Sequence, residues 1–156
     1  MKQDAGTKRS RWAALSLISI GIVAGLSGCS PEAQVFARID GGELTFLVCE
    51  QFNATRIAVS TADQSSQTYT DAWTAEGSAT LDKGSKIVFG SAPDGMTSGP
   101  EKAVEPSSTK VEIAIDGTRE DGTAAVLVAV FSAGRITDEG WSGQTSSVVG
   151  NPCQSE

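Results

Sequence analysis

Beyond residue 32 the chain predicts an all-β fold, an antiparallel sandwich, on three observations. Apolar and polar residues alternate over short segments. Clusters of Gly, Pro and Asp separate those segments. No long stretch carries the three-to-four-residue spacing of an amphipathic helix. Seven or so short strands punctuated in this way bury their apolar faces most simply by packing two sheets together.

Residues 33–40 set Val35, Ala37 and Ile39 on one face against Phe36, Arg38 and Asp40 on the other. Gly41-Gly42 supplies the positive φ of a tight hairpin turn. Residues 43–50 then return, with Leu44, Phe46 and Val48 on one face and Leu47 and Cys49 on the other. A third strand lies in 53–62, centred on 56–60, and the Asp-, Ser- and Gln-rich run 62–67 is a loop. Residues 68–75 form a weaker strand, with a short helical turn as the alternative. The turn at 81–84 leads into 85–90, where Ile87-Val88-Phe89 is a strand centre.

From 91 to 108 the composition turns to Pro, Gly, Ser and charge, and Pro93, Pro100 and Pro106 lack backbone donors. This is the longest irregular stretch, of a length at which loops in compact domains tend to be either functional or mobile. Residues 109–116 alternate most cleanly, with Val111, Ile113 and Ile115 inward and Lys110, Glu112 and Asp116 outward. After a connection at 117–122, residues 123–132 are apolar at nearly every position, which predicts a strand in the middle of the sheet system. Gly134-Arg135-Ile136, Gly140-Trp141-Ser142-Gly143 and a polar tail through Asn151-Pro152-Cys153 complete the chain. The sandwich is immunoglobulin-like in outline. Cys153 falls outside any strand, however, so the cysteine spacing is not that of a true immunoglobulin domain and the topology stays open.

The first 28 residues follow another plan. Lys2, Lys8, Arg9 and Arg11 stand against the single acid Asp4, and 13–26 is an uncharged apolar run broken only by Ser and Gly. That is a signal-peptide layout, and the run falls short of the roughly 20 residues a membrane-spanning helix needs. The small residues Ser27 and Gly28 leave the backbone beside Cys29 open to a peptidase. Leu26-Ser27-Gly28-Cys29 resembles the lipobox of bacterial lipoproteins. The resemblance implies a diacylglyceryl thioether on Cys29 and removal of residues 1–28 as a lipoprotein signal peptide. A lipidated tether at 29–32 and a domain at 33–156 remain. Two long acyl chains suffice for stable anchoring without an apolar helix, so the expected location is the extracytoplasmic face of the cell membrane. Cys49 in a strand, Phe89-Gly90 followed by Pro93 and Gly95, then Gly140-Trp141 and Pro152-Cys153 also resemble uncharacterised small lipoproteins of high-GC Gram-positive bacteria. That resemblance implies no activity.

The full chain has 12 basic and 19 acidic residues; without the leader it keeps 8 and 18, a net charge of −10. A surface this acidic repels nucleic acid, which is therefore not expected as a partner. With Cys29 lipidated, Cys49 and Cys153 are an even pair outside the reducing cytosol, and a disulfide between them is expected. Two free, buried thiols are the plainer alternative.

The chemistry search is mostly negative. The chain has no histidine, which excludes a Ser-His-Asp triad, a Cys-His pair and a histidine metal site. No phosphate loop or dinucleotide fingerprint occurs, and no cofactor is expected. Asp116, Glu120 and Asp121 share one connection whose oxygens suit Ca2+, but the spacing is not that of an EF-hand and Arg119 opposes a cation, so an acidic turn is the simpler reading. Ser85 with Lys86, or Ser107 and Ser108 with Lys110, offer a Ser-Lys pair of residue types too common to carry weight. Tyr69, Trp73 and Trp141 are the candidates for ligand or partner contact. Two of them together on the surface would stack on envelope glycans or anchor a protein, whereas a domain with so few aromatics ordinarily buries its tryptophans. The expected function is a non-catalytic binding or structural role in the cell envelope. An envelope hydrolase or transferase with an acidic or Ser-Lys site is the alternative.

Overall fold

Two five-stranded antiparallel sheets pack face to face in the computed structural model, which describes residues 34–63, 68–102, 104 and 109–154. The leader 1–28, Cys29, the tether 29–32 and Ser107 and Ser108 lie outside the described residues.

The first sheet is built on the expected hairpin. β1 (Val35–Asp40) and β2 (Glu43–Val48) pair from Val35↔Val48 to Asp40↔Glu43. Gly41 and Gly42 between them have φ of 63° and 93°, a region in which a side chain would clash with its own backbone. β5 (Ser85–Val88) adds to the far side of β2. β9 (Trp141–Ser142) joins β1 through Ala37↔Ser142, and β10 (Ser147–Val148) lies outside β9.

The second sheet has the order β6-β4-β3-β7-β8. Its long members are β3 (Phe52–Asp63), β4 (Thr70–Leu81), β7 (Thr109–Arg119) and β8 (Ala124–Ser132). Two hairpins, β3 with β4 and β7 with β8, lie side by side through β3 and β7. That succession, with β5 on β2 in the facing sheet, is the immunoglobulin-like outline; β9 and β10 are additions to it.

The core fills the space between the sheets with the residues that alternation pointed inward. Val35, Ala37, Phe46, Val48 and Ile87 of the first sheet meet Ile57, Val59, Trp73, Val111, Ile113, Ile115, Leu127 and Phe131 of the second. The Phe46 and Phe131 rings, 6.2 Å apart and tilted, join the two layers. Removing a side chain such as Ile57, which is fully buried, costs about 2–5 kcal/mol in transfer and cavity terms. Trp73 lies in this core, its indole edge-on to Phe89 at 6.0 Å, and its Nε1–H donates to Ser98 Oγ at 2.6 Å.

Three expectations need correction. Residues 68–75 contain a strand and not a helical turn, but the strand is longer than expected: β4 begins at Thr70 and runs to Leu81, its second half held by pairing with β3 down to Phe52↔Leu81. The irregular stretch 91–108 contains β6 (Met96–Ser98). Its backbone continues along β4, with Ser78 N–H on Gly95 O, Gly99 N–H on Thr74 O and Lys102 N–H on Ala72 O at 2.7–3.0 Å. Gly77 makes that approach feasible, because a Cβ there would stand 2.8 Å from Met96 Cα. Finally, β8 is an edge strand and not a central one. Leu127, Ala129 and Phe131 are buried, while Val126 and Val128 on the other face are 54% and 50% exposed.

Candidate functional site

The alternation that sends Val35 and Ala37 into the core sends Phe36, Arg38 and Asp40 to the outer face of the first sheet. Leu47 and Thr45 stand opposite Phe36 and Arg38 in the register, and Lys86 stands opposite Leu47. An outer sheet face ordinarily meets water. Here Phe36, Leu47, Trp141 and Cys153 form a second buried cluster, with Cys49 and Val148 packed against it. The carboxy-terminal segment therefore covers part of this face, and the Cys49–Cys153 disulfide pins it there with a Cα separation of 4.9 Å. The expected pairing of these cysteines is thus present. Cys153 lies in a short 3₁₀ turn, Pro152–Gln154, whose N–H groups are taken by Asn151: Cys153 N–H on its side chain at 3.0 Å and Gln154 N–H on its carbonyl at 3.2 Å.

Beside this cluster the outward polar groups converge. Arg38 lies over the Trp141 ring, 5.0 Å from the centroid, an interaction worth about 0.5–1 kcal/mol at a partly exposed site. Arg38 Nη2 also pairs with Asp40 Oδ1 at 2.7 Å, and Lys86 Nζ pairs with Asp40 Oδ2 at 2.8 Å. Hydrogen bonds from Lys86 and then Arg38 hold the Asp40 carboxyl below its ordinary value of 3.8. Arg38 Nε is buried without a hydrogen-bond partner. Arg38 and Lys86 line a cleft of about 350 Å3 together with Leu47, Glu139, Trp141 and Asn151, and Asp40 holds both cations from beside it. Two cations share one carboxylate against an aromatic wall, and one guanidinium N–H is unpaired. That is the chemistry of a polar shelf, with the Glu139 carboxylate also on its lining.

The aromatic trio does not assemble. Trp73 is 1% exposed in the inter-sheet core and Trp141 is 5% exposed on the opposite side of the first sheet. Neither offers a face for stacking; the apolar layer on each side of the sheet claims one. Tyr69 is half-buried ahead of β4.

The acidic connection is dispersed as well, because β7 runs on to Arg119. Asp116 faces Arg56 at 3.5 Å, Arg119 reaches Glu50 at 3.7 Å, and Asp121 accepts the Thr123 N–H at 2.8 Å. That bond with Thr123 is the main reason the Asp121 carboxyl sits below its usual range. Among the described residues no group of three or more His, Cys, Asp or Glu side chains is placed to hold a metal ion. Ser85 and Lys86, adjacent on β5, point to opposite faces, and the Lys86 ammonium is engaged by Asp40. They do not form a Ser-Lys pair.

Sequence reasoning missed Arg38 and Asp40 as site residues. Their spacing of two on one strand placed them on a common face, but nothing in the order of residues showed that Trp141 and Lys86 would meet them there. Among the described residues no helix is long and apolar enough to cross a membrane. No family model, no curated protein and no solved structure matches this chain.

Proposed function

We propose that the protein is a lipoprotein anchored through Cys29 to the extracytoplasmic face of the cell membrane, and that its sandwich has a non-catalytic binding role in the envelope. The observation that carries this reading is the Cys49–Cys153 disulfide. Structural disulfides persist where the medium is oxidising and are rare in the cytosol, which agrees with export directed by the leader and Leu26-Ser27-Gly28-Cys29. The Arg38, Asp40, Lys86 and Trp141 shelf supports binding over catalysis, since its charged groups are engaged with one another. An envelope protein or a glycan is the partner class; the acidic surface speaks against nucleic acid.

Intact mass of the full-length gene product, extracted from membranes, tests the anchor. The expected chain begins at Cys29 and carries the mass of a diacylglyceryl group, and Cys29→Ser abolishes that mass and releases the protein from the membrane fraction. A wild-type chain beginning at Met1 without lipid would sink the proposal. Crosslinked pulldown from intact membranes then identifies the partner, and Arg38→Ala with Lys86→Ala should reduce its capture.

A further inference from the structure

Two groups at the cleft on the outer face of the first sheet lack partners, one a donor and one an acceptor. Arg38 Nε is buried without a hydrogen-bond partner. Nη2, on the same edge of the guanidinium, holds Asp40 Oδ1 at 2.7 Å. Asp40 Oδ2, the oxygen that would complete a two-point contact with that edge, is drawn instead to Lys86 Nζ at 2.8 Å. Lys86 is 53% exposed, and its ammonium has two further N–H groups to give. Glu139, on the lining of the same cleft, is exposed and forms no salt bridge among the described residues. Arg38 and Lys86 stand on β1 and β5, whereas Glu139 lies in the segment leading into β9, and its carboxylate stays beyond ion-pair distance of both cations. Leu47 and Trp141 supply the apolar part of the lining.

We propose that this cleft binds a zwitterionic α-amino acid with an apolar side chain, an inference that rests on the reading of the shelf as a binding site. The ligand carboxylate takes Lys86 Nζ. Asp40 Oδ2, released from Lys86, turns onto Arg38 Nε and completes the two-point contact. A buried donor without a partner is costly, and this exchange removes that cost as the ligand enters. The ligand ammonium meets Glu139, and its side chain lies along Leu47 and Trp141, whose apolar surface strengthens the ionic contacts by keeping water from them. Charge selects a zwitterion over an anion. Asp40 and Glu139 balance Arg38 and Lys86, and the chain carries −7 overall, so an anion is repelled on approach whereas a ligand without net charge is not. A cleft of about 350 Å3 stands at the small end of the range for ligand sites, which suits a single amino acid.

Calorimetric titration of the full-length protein, extracted from membranes in detergent, with leucine, N-acetyl-leucine and leucinamide tests the assignment. Leucine is expected to bind, and each analogue, lacking one of the two charges, to bind about tenfold more weakly or worse, the cost of losing one charge-assisted contact. Glu139→Gln should bring leucine down to the affinity of N-acetyl-leucine without weakening N-acetyl-leucine itself. Lys86→Met should bring leucine down to the affinity of leucinamide without weakening leucinamide. Both side chains are exposed, and a cooperative thermal transition verifies that each variant folds; the two analogues test the same contacts in the wild type. No binding of leucine by the folded wild type, equal affinity for leucine and either analogue, leucine binding that either variant leaves unchanged, or tighter binding of phosphoethanolamine than of leucine would each overturn the proposal. None of these outcomes bears on the anchor, which the mass at Cys29 tests separately.

Discussion

Replacing Cys49 and Cys153 by Ala removes one covalent link and tests why the tail stays on the outer face of the first sheet. The bond joins residues 104 apart in the chain. For a loop of about 100 residues the loss of closure entropy in the unfolded state amounts to roughly 4.7 kcal/mol. In a unit spanning residues 31–156, each kcal/mol shifts the melting temperature by about 3–5 °C. The double variant is therefore expected to melt roughly 14–24 °C lower, read by circular dichroism without reductant. The structure adds a local consequence. Without the link, the only attachments of the tail to this face are noncovalent ones such as the packing of Phe36, Leu47 and Trp141. Acrylamide quenching should then rise for Trp141 and stay low for Trp73, which lies in the core; Trp73→Phe and Trp141→Phe backgrounds separate the two signals. A melting temperature within a few degrees of wild type would refute the entropic reasoning and show that packing alone holds the tail.

Gly117→Ala is expected to destabilise the domain by about 1–3 kcal/mol, a typical cost of overpacking, because a Cβ there overlaps the Asn53 carbonyl oxygen and meets the Phe52 ring at 2.8 Å. Urea unfolding measures it, and an unchanged midpoint would mean that the irregularity between Ala54 and Arg56 gives way without cost. Asp40 has a pKa lowered by Lys86 and Arg38, so its contribution to stability is present above the ordinary carboxylate value and is lost as pH falls through the lowered one. Asp40→Asn should accordingly lower the melting temperature near neutrality and converge with wild type on acidification; a difference that persists unchanged into acid would mean that the ion pairs are not its source.

The inner faces were legible because burial on one side imposes a period of two. Val111, Ile113 and Ile115 point inward as their spacing indicates, and so do Phe46 and Val48. The Gly41-Gly42 turn was legible because few residues accept its backbone angles. The pairing of Cys49 with Cys153 was legible only on the expectation that Cys29 is lipidated and so leaves the count. What alternation does not encode is the covering of the opposite face. Phe36 and Leu47 alternate as outward residues should, yet they are buried, because a segment more than 90 residues away folds back over them. In β8 the reverse holds: Val126 and Val128 look like core in the sequence and stand half exposed, because β8 ends its sheet.

The same distinction explains β4 and β6. Glu76, Gly77 and Ser78 have weak strand preference, and their extended form is imposed from outside, by β3 on one side and by the backbone of 95–98 on the other. Local sequence determined the strand class, the inward residues and the first turn, because each depends on neighbours within a few positions. Sheet order, the covered outer face and the meeting of Arg38, Asp40, Lys86 and Trp141 were decided by tertiary structure alone, since each depends on which distant segment arrives at an exposed surface.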